Sequence, residues 1–400
     1  MTIRIAGAKV ILKDDVVETD VVIDGDIIVD VGGSSAAEHM IDGRGFLLAP
    51  GMIDIHGDAF ERQLMPRPNV FFPIDAALLE TDRQLATNGI STAYHALTLS
   101  WEPGLRSVER GQAFLDALTA QQSRFTIENR VQLRWETFAF EALDLIERAL
   151  DMPLSPSIAF NDHTSMTLRS QDVKIQERLF EHNPDFKVTD LDDPNLRQRA
   201  TRDGLRAGLS TDEYLELLKN VWQRRADVPD MISKVSKMGK ITQVPMLSHD
   251  DTQDETRNFY RAMGASISEF PMQVSVARAA REAGDVTVFG SPNVVRGGSQ
   301  IGSPSAADMV EDGLCDILAS DYFYPAMLAA VARLVKEKRG DLAALWSLVS
   351  SGPANASGLN DRGEIAVGKR ADLILIDWPQ NQPPAVKLNL SQGNTAYSAL

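Results

Sequence analysis

The sequence predicts an α/β protein: a (β/α)8 TIM-like barrel carrying a small β-sandwich domain built from both chain ends. Three observations lead there. Through the middle of the chain, short apolar β-branched runs alternate with helical patterns, which favours parallel βα units. Eight such runs occur, near 52–58, 91–97, 131–138, 157–162, 241–248, 265–270, 286–290 and 315–320. Segments rich in strand formers lie at the two termini and flank that middle.

Taken in order, residues 1–50 read as short strands: Ile3-Arg4-Ile5, Lys9-Val10-Ile11-Leu12, Asp20-Val21-Val22-Ile23 and Asp26 to Gly32. Gly and Asp break these runs as hairpin turns would. Ala371-Asp372-Leu373-Ile374-Leu375-Ile376-Asp377 supplies a returning strand. The small domain is therefore expected from 1–50 plus 360–400, and the barrel from 51–359. The first barrel helix is expected from Asp75 to Asn88, stopped by Gly89. A helical insertion of roughly 165–240 separates the fourth and fifth barrel strands, with Asp212 to Lys219 its clearest helix. Insertions over this face of a barrel shape substrate pockets; a helical pair that only shields the barrel is the other reading. The tail from Pro379 to Leu400, with its Pro and Gln, is expected to be partly loose.

Composition narrows the function. The chain has 400 residues, 44% of them hydrophobic, enough for a large core. Its net charge of −16 argues against nucleic acid and anionic membranes as main partners. An anionic substrate would need a local cluster of Arg and Lys, or metal ions. Cys315 is alone, so no intrachain disulfide forms. The first residues lack the apolar core of a secretory signal, and no 18-residue apolar span exists. The expectation is a soluble cytoplasmic protein.

The richest segment is Leu48-Ala49-Pro50-Gly51-Met52-Ile53-Asp54-Ile55-His56-Gly57-Asp58. It reads as a buried strand ending in His-x-Asp. Residues two apart on a strand point the same way, so His56 and Asp58 can share one ion. Chemistry on such barrels sits at strand C-terminal ends, and further ligand types fall there: Glu136, His163, His249 and Asp321. Each has a plainer reading alone. His56 or His249 would pass as structural histidines, Glu136 as a partner of Arg134, and Asp321 as the cap of a following helix. Asp162 and Asp250 read as caps or supporting partners. Together the residues suit two divalent ions: zinc first, with manganese or iron as alternatives. Such ions bring the pKa of water toward neutrality. Glu136 is then expected to bridge them and Asp321 to accept the proton.

These motifs resemble the amidohydrolase superfamily over almost the full chain. The Leu48–His56 segment is similar to its first-strand signature, and Gly363 to Leu373 to the signature of its returning β-domain. In many members a carboxylated Lys bridges the metals. No Lys stands at a suitable strand end here, so the resemblance implies Glu136 in that place, as in the deacetylase-like branch. Narrower motifs are Leu64-Met65-Pro66-Arg67-Pro68, Asp162-His163-Thr164, Ser248-His249-Asp250-Asp251, Pro292 to Ser299 and Ser320-Asp321-Tyr322. They resemble the phosphonate-metabolism branch, which releases pyrophosphate from α-D-ribose 1-methylphosphonate 5-triphosphate. That resemblance implies a small phosphorylated substrate and is consistent with a homo-oligomer.

Phosphate contacts are expected from Arg67, Arg296, Gly297 and Gly298, because the loop after the seventh strand is a common phosphate site. Gly297-Gly298 reads equally as a tight turn without ligand. His95 reads either as a pocket residue or as a satisfied core histidine. The branch pattern is not fully kept: Thr164-Ser165-Met166 stands where Pro-Gly-Gln is usual, and Ala59 follows Asp58. An amidase, deacetylase or deaminase acting on C–N bonds with the same metal site is the main alternative. A scaffold built on a dead barrel is a third.

Overall fold

The computed structural model describes residues 1–33 and 35–400. Chain-end strands form one hydrogen-bonded network. They are β1 (Thr2–Ile11), β2 (Val16–Asp24), β3 (Ile27–Val31), β4 (His39–Asp42) and β5 (Leu47–Pro50), continued below by three strands from the other terminus. The barrel follows: β6 (Met52–Gly57), β7 (Ile90–Leu99), β8 (Glu128–Glu136), β9 (Ser157–Asn161), β10 (Met246–His249), β11 (Ile267–Glu269), β12 (Val286–Gly290) and β13 (Ile317–Ala319). The chain then returns through β14 (Leu373–Asp377), β15 (Ala385–Ser391) and β16 (Asn394–Ser398).

The end network is mixed and largely antiparallel, in the order β16-β15-β14-β5-β1-β2-β3 with β4 beside β1. It has its own apolar core, including Ile5, Val10, Ile23, Leu48, Leu373 and Leu388. The expected loose tail is instead the β15–β16 hairpin. Gln392 and Gly393 at its turn both have positive φ, and Leu388 and Leu390 bury themselves from β15. Pro379, Pro383 and Pro384, with Gln380 and Gln382, mark the loop before that hairpin.

A single residue, Gly51, separates β5 in one sheet from β6 in the other. A Cβ there would come 2.5 Å from Ser91 Oγ, so the crossing needs glycine. The eight barrel strands are all parallel, in chain order, and a Gly57–Asp321 bridge closes the ring. Ile53, Ile55, Tyr94, Ala159, Leu247, Ile267, Val288 and Ile317 pack inside. The first barrel helix runs Ile74–Thr87, as the pattern before Gly89 predicts. The fifth strand starts later than expected, because the helix Val228–Thr242 continues until Gln243 turns left-handed at φ 56°.

At the strand N-terminal ends, Glu128 of β8 joins the barrel to the end sheet. Its carboxylate accepts from Arg362 at 2.5 Å, pairs with Arg130 at 2.5 Å and also takes Arg370. At the opposite end, the β9–β10 connection carries the helices Pro194–Ala207 and Thr211–Trp222. Asp193 caps the first, with Pro at its start, and Ser210 with Glu213 forms a capping box on the second. Leu196, Ala200, Tyr214, Leu215 and Leu218 give this insertion a core of its own.

Candidate metal centre

Barrel closure brings the ligands from the two chain-distant strands together. The Asp321 N–H donates to the His56 carbonyl at 2.9 Å, and the Asp58 N–H donates to the Asp321 carbonyl at 2.9 Å. Three strand ends turn sharply at residues with positive φ: Asp250 (59°), Phe270 (56°) and Asp321 (55°). Non-glycine residues rarely adopt that conformation, and such strain gathers at functional sites.

Three groups of ligand-type atoms result, each within 4.8 Å: His56, Asp58 and Asp321; His163, His249 and Asp250; and His56, His249 and Glu269. Five expected residues, His56, Asp58, His163, His249 and Asp321, are therefore brought together. Glu269 was not expected. It ends a predicted barrel strand, so the rule that selected the other ligands would have selected it as well. Its carboxylate is fully buried between two imidazoles, 2.9 Å from His56 Nδ1 and 2.7 Å from His249 Nδ1. Gln132 Nε2 also donates to it at 2.8 Å. His249 Nδ1 is correctly aligned to donate, whereas His56 Nδ1 lies close but off the bonding direction and has no hydrogen-bond partner.

Electrostatics separate these groups. Burial opposes charge on Glu269, but His56 and His249 outweigh it and hold its pKa far below the ordinary carboxylate range. Burial and the Arg134 charge lower both His163 and His249, which keeps them neutral, as metal binding requires. Burial, then the neighbouring Asp58, pushes Asp321 up to about 7. Buried imidazoles, two of them held neutral, with the Asp58, Asp250 and Asp321 carboxylates within ligand reach make a donor set that fits a divalent ion.

Arg134, only 6% exposed, qualifies that fit. Its Nη2 donates to His249 Nε2 at 2.7 Å, and Nη1 lies 3.5 Å from Asp58 Oδ2. A guanidinium on the His249 lone pair competes with an ion there. The His56, Asp58 and Asp321 group meets Arg134 only through the longer Asp58 pair, whereas an ion on His249 Nε2 requires Arg134 to move.

The remaining expected residues are placed as follows. Glu136 belongs to none of the three groups among the described residues. Its oxygens accept from Asn161 Nδ2 (3.1 Å), His163 N (3.0 Å), Thr164 N (3.1 Å) and Thr164 Oγ1 (2.7 Å). It thus anchors the segment that carries His163. His95 is a core residue: buried against Phe60 and Phe114, it bonds Asn129 Oδ1 at 2.8 Å, and burial lowers its pKa to about 4. Arg67 is exposed and lines neither of the two cavities at this face. Arg296 and Gly298 do line one, a cavity of about 230 Å³ that includes His56, Asp58, His249 and Asp321. Gly297, at φ 84°, instead ends the short helix before it and packs on Arg333. A second cavity of about 760 Å³ adjoins the first along Ile301.

Comparison with known proteins agrees with this architecture. The amidohydrolase family model matches residues 199–392. The chain is 28% identical over 383 residues to alpha-D-ribose 1-methylphosphonate 5-triphosphate diphosphatase of Escherichia coli (strain K12), covering 94% of this chain and 96% of that one. Similar solved structures include an amidohydrolase from an environmental sample of the Sargasso Sea (14% identity, 100% and 93% of the two chains, TM-score 0.63). An adenosine deaminase from Xanthomonas campestris with bound zinc is another (12%, 98% and 92%, TM-score 0.63). At these identities the solved structures bear on the fold alone. Together with the motifs, the partial family match and the relative covered nearly end to end make the chain similar to hydrolases of the amidohydrolase superfamily.

Proposed function

We propose that this protein is a metal-dependent hydrolase that cleaves a phosphoanhydride. Its substrate in this reading is α-D-ribose 1-methylphosphonate 5-triphosphate, converted to the 5-phosphate with release of pyrophosphate. The catalytic unit would be the barrel, residues 51–359, with the small domain formed by 1–50 and 360–400. The observation that carries the reading is the meeting of His56, Asp58 and Asp321 at the barrel's closing seam, in a cavity that also presents Arg296. Similarity to the diphosphatase along both chains supports the choice of substrate.

Two divalent ions, zinc first, held by His56, Asp58 and Asp321 and by His163, His249 and Asp250, would activate water and absorb charge developing on phosphoryl oxygens. Asp321 accepts a proton from the attacking water and is placed to return it. Water oxygen bonds to the sugar-proximal phosphorus. The bond from that phosphorus to the bridging oxygen breaks, and pyrophosphate leaves with the electron pair. Arg296 and the Gly298 backbone bind phosphoryl oxygens. Glu269 fixes the two imidazoles, and Glu136 fixes the start of the His163 segment.

The test is pyrophosphate release from the sugar triphosphate by zinc- or manganese-loaded protein, with ATP and N-acyl amino acids run beside it. Rapid release from the sugar triphosphate is expected. Turnover of an N-acyl substrate alone would replace the phosphoanhydride reading with C–N bond hydrolysis.

A further inference from the structure

The larger cavity has a basic wall that the metal centre does not explain. Arg199, Arg202 and Arg206 stand on one helix of the insertion, Pro194–Ala207, at spacings of three and four, so they share a face. With Arg169, Lys174 and Arg106 they give the cavity six cationic side chains. Only three acids, Glu102, Glu136 and Asp203, line it in return, in a chain whose net charge is −16.

Some of the cations are already matched. Arg106 binds Glu61 through both nitrogens, at 2.8 and 3.0 Å, and Arg202 contacts Asp203 at 3.0 Å. Two are not. The Arg199 side chain has no hydrogen bond or ion pair among the described residues. Arg169 is 6% exposed; its Nη1 donates to the Met166 carbonyl at 2.7 Å, and its buried Nε has no partner. Burial, then Arg199 and Arg178, lowers the Arg169 pKa to about 10, the mark of a locally positive potential. Holding unmatched guanidinium groups side by side costs stability unless an anion arrives. His163 and Glu136 line the same cavity, so it opens directly beside the metal centre.

We propose that this cavity is a polyphosphate subsite, in which Arg169, Arg199 and Arg202 hold the terminal phosphates of the substrate and then the departing pyrophosphate. This gives the helical insertion its role: it supplies most of the cavity's positive charge. The proposal deepens the phosphoanhydride reading and rests on it for the identity of the group bound.

The probe is inorganic pyrophosphate, titrated calorimetrically into the metal-loaded full chain, its Arg199→Gln and Arg202→Gln variants and the double variant. Both side chains are at least partly solvent-exposed, so the variants should fold. A hydrogen bond to a charged group contributes about 1.5–3 kcal/mol, so each substitution should weaken pyrophosphate roughly ten-fold or more. Metal content per chain should not change. Equal affinity in wild type and all variants overturns the subsite, even if the sugar triphosphate is turned over normally. Affinity lost in the variants, with no pyrophosphate released from the sugar triphosphate by wild type, keeps an anion subsite and overturns the phosphoanhydride reading instead.

Discussion

Strand β8 begins with Glu128 and ends with Glu136, and the same amino acid meets opposite fates at its two ends. Arg130, Arg362 and Arg370 surround Glu128 and overcome its partial burial, lowering its pKa to about 2. Glu136 is buried without a cationic partner, and burial with the nearby Asp162 drives its pKa upward despite four hydrogen bonds. The contrast extends to the two faces. At the strand starts, acids are matched to arginines and tie two sheets together. At the strand ends, imidazoles and carboxylates crowd around backbone strain at Asp250, Phe270 and Asp321. One end is arranged for stability and the other for chemistry, the division expected of such barrels.

The largest expected effect lies at the chemical end. Asp321→Asn should retain most of its metal and lose about 10²–10⁴-fold in kcat, the usual worth of a positioned acid–base group. Full turnover with normal metal content would break the comparison, because the best-placed acid of that face would then be dispensable.

The stability end should respond differently. The fall of Glu128 from an ordinary 4.5 to about 2 corresponds to roughly 3 kcal/mol. Glu128→Gln should therefore lose about 2–3 kcal/mol of unfolding free energy while turnover per folded molecule is kept. The sign with pH follows from a lowered folded-state pKa. The contribution is complete above about 4.5 and disappears as pH falls toward about 2. Denaturant titrations across that window should show a steeper loss in wild type than in the variant. Parallel curves would mean that the arginines contribute nothing through Glu128.

A smaller change sharpens the picture inside the metal centre. Glu269→Gln keeps the shape but removes the charge that faces both imidazoles. Metal affinity should fall about 10–100-fold, read by competition with a chromophoric chelator. Unchanged affinity would show that His56 and His249 are oriented by packing, including the edge of Phe270, which lies 5.0 and 5.3 Å from their rings.

Much of this was legible in the chain. Alternation of apolar runs with helical patterns located all eight barrel strands, because a parallel strand buried on both faces reads as a largely apolar run. His56, Asp58, His163, His249 and Asp321 stood out because each ends such a run. What the sequence determined by itself was the periodicity, the strand ends and the residue types delivered there. The tertiary structure alone decided which of those side chains meet. Glu136 and Glu269 both end barrel strands, yet helix-start amides and a hydroxyl enclose the first while two imidazoles enclose the second. Arg134 reaches His249 across 115 residues. Arg199 and Arg202 line the cavity only because the insertion folds back over the barrel mouth. Local sequence fixes which way a side chain leaves the backbone, but the charges it faces belong to distant segments. Charge interactions therefore become readable only once the ring has closed.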